Sequence, residues 1–226
     1  MAKHLDLEEQ EQLDQLKHFW KQYGDLITWA LIAIFGTFAA WNGYQYWQRS
    51  QAAKASVMFD LVERAVVEKD NEKLSRALAD MQKSYAKSTY TQQAGLIAAK
   101  AFQEGGKADA STAALTWVAD NASDAGYKAV ARLRLVGLLV EAKAYDEALK
   151  QLDSSFPKEF AALAADRKGD VLLLQGKRDE ARASFTTAFA ALDETSEYRR
   201  LVEVKLNSLG VNPRATIAEA GSGGKS

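Results

Sequence analysis

The chain has 226 residues, and its 29 basic and 30 acidic side chains leave a formal net charge of −1 with no clustered basic patch, which argues against a nucleic-acid-binding protein. Cysteine is absent, and the two histidines, His4 and His18, both lie near the amino terminus. Disulfides, thiol nucleophiles and thiolate metal sites are therefore excluded. The rest of the chain also has no imidazole for catalysis. We predict a protein that is not an enzyme and binds no cofactor or metal.

Residues 1–25 form a short acidic segment, which is the first predicted region of the chain. It contains three lysines and six acidic residues. Its leucines are compatible with a short amphipathic helix that meets a cytosolic partner or with a solvated, helix-prone leader. The interspersed acidic residues favour the leader.

Residues 26–47 are predicted to form one transmembrane helix, because no charged residue lies between Asp25 and Arg49. A helix of this length rises about 33 Å, which exceeds the roughly 30 Å of a bilayer's hydrocarbon core. Aromatic residues of the kind that settle at headgroup depth flank it on both sides: Phe19, Trp20 and Tyr23 before it, and Trp41, Tyr44, Tyr46 and Trp47 at its end. Small residues in the span predict packing against another membrane helix, namely Gly36 with Ala40, and Ala39 with Gly43.

Two alternatives compete with an uncleaved anchor. A cleaved signal peptide would find a cleavage motif at Ala53, Lys54 and Ala55, but the acidic start is wrong for one. A buried core helix of this length should show a polar face, and the span is polar mainly at its far end. Basic residues are similar in number on the two sides of the span, so charge does not decide its orientation.

Helices joined by short turns are predicted for the rest of the chain, because Pro157 and Pro213 are its only two prolines. We expect them at about 50–69, 71–86, 91–104, 109–120, 125–142, 145–153, 158–175, 178–192 and 196–209. Ser88 or Thr89 and Asp124 are predicted amino-terminal caps, and Pro157 is expected in a first turn. Gly105 with Gly106, and Gly176, are predicted to end helices.

Three turn segments repeat, and each leads to an alanine in the following helix: 106–109 to Ala114, 143–147 to Ala148, and 176–180 to Ala181. Ala114 and Ala148 are 34 residues apart, and Ala148 and Ala181 are 33 apart. This is the period of the tetratricopeptide repeat. The last unit fits the pattern best, with Gly169, Gly176, Ala181, Phe185 and Ala188, whereas Lys143 occupies the turn position of the unit before it.

The sequence therefore predicts an all-α fold, in which a single N-terminal transmembrane helix precedes a tetratricopeptide-like α-solenoid. The solenoid should cover residues 48–209 with about four helix pairs and a closing helix at 196–209, followed by a flexible tail at 210–226. A helical bundle without repeats is the alternative. On the closing helix we expect Tyr198, Leu201 and Val202 to be buried, and Arg199, Glu203 and Lys205 to face water.

The layout of the whole chain resembles a known family. The segments that carry the resemblance are FWKQYG at 19–24 with the span that follows, DRKGD at 166–170 and GKRDEA at 176–181. With its short acidic start and degenerate repeats, the chain over residues 1–210 resembles the bacterial ancillary SecYEG translocon subunits (the YfgM family). The resemblance implies a single-pass protein of the bacterial inner membrane, with a cytoplasmic N-terminus and a periplasmic C-terminal domain. It also implies association with the SecYEG translocon and with the membrane-anchored periplasmic chaperone PpiD; unfolded secreted chains are a further candidate partner.

A binding surface is predicted on the first helix of each pair, because these helices line the concave face of such arrays. The aligned positions are mostly apolar, which favours a hydrophobic segment of a partner or nascent chain. The alternative is that several of them pack inside the array. The positions are Leu96, Ala99, Gln103, Val130, Leu133, Val140, Leu163, Asp166, Arg167, Asp170 and Leu173.

Three classes of function remain. The favoured one is a translocon-associated interaction protein that holds a periplasmic chaperone or an emerging chain near the exit site. The second is a membrane-tethered scaffold of the import or fission receptor type, which would face the cytosol. The third is an enzyme, and the missing histidine and cysteine count against it.

Overall fold

The computed structural model describes residues 7–213, with side chains from residue 13 onward, and in that range it contains nine α-helices and no strand. The all-α prediction is therefore confirmed. The chain divides into two compact units, Met1–Gln51 and Ala52–Ser226. The helices are α1 (Leu7–Val67), α2 (Asn71–Ser84), α3 (Thr89–Glu104), α4 (Ala108–Asn121), α5 (Ala125–Glu141), α6 (Tyr145–Leu152), α7 (Lys158–Leu174), α8 (Arg178–Ala191) and α9 (Glu197–Ser208).

The first unit displays the apolar stretch of α1 on its surface. Trp29 and Phe35, for example, are 71% and 66% exposed. By length and composition, α1 is the one helix of the described residues that could cross a membrane. A core helix of a soluble protein would bury this surface, so the core-helix alternative is wrong.

Polar side chains inside the span bond to the backbone of the same helix. The hydroxyls of Thr28 and Thr37 each donate to the carbonyl oxygen four residues earlier, at 2.7 Å. The amide of Asn42 donates to the carbonyl oxygen of Phe38 at 2.9 Å. Such bonds reduce the cost of placing these groups in hydrocarbon.

Helix α1 extends beyond the span at both ends. Residues 7–25 are helical from Leu7 onward, which agrees with a helix-prone leader, whereas the separate helix expected at 50–69 is the last part of α1. No proline and no pair of glycines interrupts residues 7–67, so nothing in this stretch ends a helix.

The second unit is a series of helix pairs. Its first pair is the end of α1 with α2, and it continues with α3 and α4, α5 and α6, and α7 and α8, before α9 closes the series. Successive helices from α2 onward are in contact, and α3 with α5 and α5 with α7 also touch. Contacts restricted to near neighbours are typical of a repeat array. The predicted bounds of α2 to α9 agree with the structure to within two residues.

Three apolar clusters form the core of this unit, and they follow one another along the chain. The first extends from Phe59 to Leu135 and the second from Val136 to Val171. The third extends from Leu172 to Leu209. Each cluster is completed by helices that are close in sequence, as stacked repeats require.

The turns inside the four helix pairs share one backbone geometry. Lys69, Gly106, Lys143 and Gly176 have φ of 55°, 69°, 59° and 78°. In each turn the following residue donates its N–H to a carbonyl of the helix that has just ended, at 2.7–3.0 Å. Lys143 therefore occupies the turn position that the repeat alignment assigned to it, and the bundle without repeats is wrong.

Two of the predicted helix starts differ in detail. Ser88 is at the amino-terminal cap of α3, but its hydroxyl makes no capping hydrogen bond. Pro157 is the cap residue of α7 rather than a first-turn residue, and its carbonyl accepts from the N–H of Phe160. Asp124 caps α5 as expected, because its carboxylate accepts from the N–H of Tyr127 at 3.0 Å.

Close helix approach in the last pair depends on two small residues. A methyl group at Gly169 would lie 2.5 Å from the ring of Phe185, so only glycine fits there. Ala181 is fully buried in the same cluster. Both are at the small positions that the repeat pattern predicted for α7 and α8.

A polar network joins the closing helix α9 to α7. Asp166 is fully buried, and its carboxylate accepts from the hydroxyl of Tyr198 at 2.5 Å. The ammonium of Lys205 donates to both oxygens of Asp166 and to both oxygens of Asp170, at 2.7–2.9 Å. Burial, and then the hydrogen bond to Asp166, raise the pKa of the Tyr198 phenol.

The predicted faces of α9 are therefore partly wrong. Val202 is buried as expected, but Leu201 is 48% exposed. Arg199 and Lys205 do not face water freely, because Arg199 stacks 4.2 Å above the ring of Phe189 and Lys205 joins the network. The stripe that packs inward is Val202, Leu206 and Leu209, which turns the basic neighbours toward α7 and α8.

The first residues of the tail predicted at 210–226 pack against the array. The N–H of Val211 donates to the carbonyl of Leu206 at 3.1 Å, and Val211 packs against the third cluster. Pro213 is buried. The rest of the predicted flexible tail, residues 214–226, lies outside the described residues.

Candidate binding groove

The first helices of the last two full pairs, α5 and α7, enclose a groove of about 420 Å³, called here the α5–α7 groove. Its floor and walls are largely apolar side chains. Three charged residues also line it, Arg134 on α5 and Arg167 and Asp170 on α7. The full apolar lining is Val130, Leu133, Val136, Gly137, Val140, Phe160, Leu163, Val171 and Leu174.

Six of the eleven sequence-predicted binding residues lie in this groove: Val130, Leu133, Val140, Leu163, Arg167 and Asp170. The four apolar ones among them are half-buried. They share a face because they recur every three or four residues along α5 and α7.

The other five predicted residues lie elsewhere. Leu96 and Ala99 are buried in the first core cluster, and Leu173 packs against the third. Asp166 is fully buried beneath α9. Gln103 is exposed, and its amide donates to the carboxylate of Glu141 at 3.1 Å, beside a second groove of about 410 Å³ between α3, α4 and α5.

The sequence reasoning missed the residues that complete the lining. Phe160 and Leu174 extend the series formed by Leu163, Arg167 and Asp170 by one turn in each direction. On α5, Arg134 and Gly137 continue the series from Val130. The same spacing of three or four residues could have identified all of them, and it favours Leu174 over Leu173.

Arg134 contributes to more than one depression in the surface. Its side chain lines the α5–α7 groove, the second groove and a third depression beside α3. From Nη1 it donates to the carbonyl oxygen of Leu96 at 3.2 Å, which ties α5 to α3.

The arrangement of this groove suits binding. Within residues 13–213 there is no group of three or more metal-ligating side chains. An open, mostly apolar groove with a few charges suits an apolar segment of another protein.

The small residues predicted for membrane packing lie on the exposed surface of α1. A methyl group added at Gly36 or Gly43 would meet nothing within 4 Å, and Ala40 is exposed. Their role in packing against another membrane helix stays a prediction.

Comparisons with known proteins agree with the fold. A family model described as a tetratricopeptide repeat-like domain matches residues 17–211. The ancillary SecYEG translocon subunit of Neisseria gonorrhoeae is 33% identical over 213 residues, which cover 92% of this chain and 100% of that protein. The proteins of the same name from Escherichia coli and Haemophilus influenzae are 28% and 27% identical over 90% of this chain, covering 97% and 98% of their own lengths. The chain belongs to this tetratricopeptide repeat-like family, which includes the ancillary SecYEG translocon subunits.

Proposed function

We propose that this protein is a non-enzymatic ancillary subunit of the SecYEG translocon in the bacterial inner membrane. It crosses the membrane once, with residues 1–25 in the cytoplasm and the helical array in the periplasm. The α5–α7 groove holds an apolar segment of a partner near the exit site of the translocon. The chaperone PpiD and emerging secreted chains are the candidate partners.

Three findings support this function. The relatives are named as translocon subunits, and those names do not describe an enzyme. The exposed apolar stretch of α1 fits a single membrane span. The observation that carries the binding role is the apolar groove on the first helices of the pairs, where repeat arrays hold their ligands.

Charging the groove should weaken partner binding. We expect Val130→Asp with Leu133→Asp to reduce crosslinking of the full chain to its partners in native membranes, because a carboxylate in this surface opposes burial of an apolar segment. The measurement is photocrosslinking from a probe placed at Leu163, on the opposite wall, followed by mass spectrometry.

The matched control is Leu201→Asp, which changes an exposed apolar residue of α9 outside the groove. It should leave crosslinking at the wild-type level. Undiminished crosslinking by the doubly charged variant, with an unchanged melting temperature, would show that the partner binds elsewhere.

A further inference from the structure

The charges around the α5–α7 groove are not balanced. Arg134 and Arg167 approach it from its two sides, one from each helix. Within the described residues no ion pair joins Arg134 to a carboxylate, and its hydrogen bond goes to the backbone of Leu96. The side chain of Arg167 is 54% exposed.

Asp170, the one carboxylate of the groove lining, is bonded to Lys205 of α9, which it shares with the buried Asp166. Both of its oxygens accept from the ammonium of Lys205, at 2.7 and 2.9 Å. Arg167 reaches Asp170 only at 3.8 Å, a longer and more exposed contact. Asp170 therefore belongs mainly to the α9 network, in which two carboxylates share one ammonium. Arg134 and Arg167 add two positive charges, so the side chains at the groove retain a net positive charge beside an apolar floor.

We propose that the α5–α7 groove selects apolar protein segments that carry carboxylate side chains, and that Arg134 and Arg167 determine this specificity. The inference rests on the groove being the binding site proposed above. Guanidinium groups bind carboxylates through paired, charge-assisted hydrogen bonds. Apolar walls exclude water around such a pair, which strengthens it. The occupant is thus a partner segment in which Asp or Glu alternates with residues such as Leu, Val and Phe, and a basic apolar segment is repelled.

Wild-type protein alone provides the first test. The full chain in phosphatidylcholine nanodiscs is titrated against three fluorescent peptides that share the same Leu, Val and Phe residues and carry two Glu, two Gln or two Lys. Fluorescence anisotropy, corrected with empty nanodiscs, should show the Glu peptide binding about three- to tenfold more tightly than the Gln peptide, and the Lys peptide most weakly. The difference should shrink as salt rises toward about 1 M.

Single substitutions then locate the charge effect. Arg167→Gln, and separately Arg134→Gln, should lower the affinity for the Glu peptide toward that for the Gln peptide, and leave the Gln peptide almost unchanged. The matched control is Arg200→Gln, because Arg200 is exposed on α9 and does not line the groove. Equal binding of the Glu and Gln peptides by wild type at low salt overturns the inference.

Leu133→Asp separates failure of this inference from failure of the proposed function. Suppose that wild type binds the three peptides equally and that Leu133→Asp abolishes binding of all three. The groove is then the binding site, and only the charge selectivity is wrong. If every peptide binds the Leu133→Asp variant as tightly as it binds wild type, the groove is not the binding site. The charge selectivity and the proposed function are then both wrong. If the melting temperature shows that Leu133→Asp does not fold, Leu163→Asp on the facing helix replaces it in the same test.

Discussion

Adjacent residues of α7 have different roles in this protein. Asp166 is fully buried and holds Tyr198 and Lys205 of the closing helix, whereas Arg167 points its exposed guanidinium to the groove. Replacing Asp166 would leave the ammonium of Lys205 with less compensation in a partly buried place. Replacing Arg167 changes a charge that faces solvent. A single step along the helix thus separates a residue that maintains the fold from one that can recognise a partner.

The turn after α5 contains a residue that is poorly suited to its backbone conformation. Lys143 has φ of 59°, a region that glycine occupies without strain. We expect Lys143→Gly to raise the free energy of unfolding by about 0.5–1 kcal/mol, because relief of the left-handed strain exceeds the entropy cost of glycine. Chemical denaturation of the full chain in mild detergent, followed by circular dichroism, measures the change.

The control for this variant is the preceding residue. Ala142 has φ of −76°, which any residue adopts, so Ala142→Gly should lower the stability instead. If both variants shift the denaturation midpoint in the same direction, the left-handed turn is not a source of strain.

At the scale of elements, α9 is held to the array by both apolar packing and polar contacts. Val202, Leu206 and Leu209 pack into the third cluster, and Tyr198 and Lys205 bond to the carboxylates of α7. A repeat array needs such a terminal helix to cover the apolar face of its last pair. The network also sets the rotation of α9 about its own axis.

The stability that Tyr198 contributes should depend on pH at the alkaline end. Burial and the bond to Asp166 raise the pKa of its phenol above the ordinary value of about 10. The unfolded chain therefore loses this proton first, so the contribution is complete below pH ~10 and is lost as the pH rises further. Wild type should be more stable than Tyr198→Phe at pH 8, and the difference should shrink above pH ~10.

Denaturation midpoints of the two full-length proteins, measured at pH 8, 9, 10 and 10.5, provide this comparison. The two proteins differ only at residue 198, so the difference between their midpoints isolates Tyr198. A difference that stays constant through pH 10.5 would mean that the phenol of Tyr198 titrates alike in the folded and unfolded chain.

For the whole molecule, the absence of cysteine offers a direct test of the topology. We expect Lys177→Cys, on the exposed turn before α8, to react with a membrane-impermeant maleimide in intact spheroplasts. Gln15→Cys, exposed on the other side of the span, should react only after permeabilisation. The reverse pattern would contradict the periplasmic array and favour a scaffold that faces the cytosol.

The labelled protein should also retain its span. The motif at Ala53, Lys54 and Ala55 that resembles a signal-peptide cleavage site lies inside α1, and Ala55 is fully buried, so a protease would have to unfold it. Mass spectrometry of the Lys177→Cys conjugate should find residues 26–47 attached. A mature chain that begins near Ser56 would show that the span is removed.

The parts of the fold that the sequence predicts well are those with strong local signals. Gly106 and Gly176 mark turns through their conformational freedom, and Asp124 caps a helix through its carboxylate. The length of α1 was underestimated because nothing in the sequence requires a break after the span. The groove was identified only in part, since an error of one residue turns a helix face by about 100° and exchanges Leu174 for Leu173. The rotation of α9 was not predictable, because Leu201, Val202, Val204 and Leu206 distribute apolar residues around the helix.

The arrangement of the three core clusters along the chain has a consequence for how the array folds during synthesis. Each cluster is made from residues that leave the ribosome one after another, so the first can form before the residues of the last exist. Loops closed by contacts between neighbouring helices are short, and such topologies fold fast. We expect the array to fold progressively from its amino-terminal pair. The last pair then completes its core only when α9 has been synthesised and can cover Phe185 and Phe189.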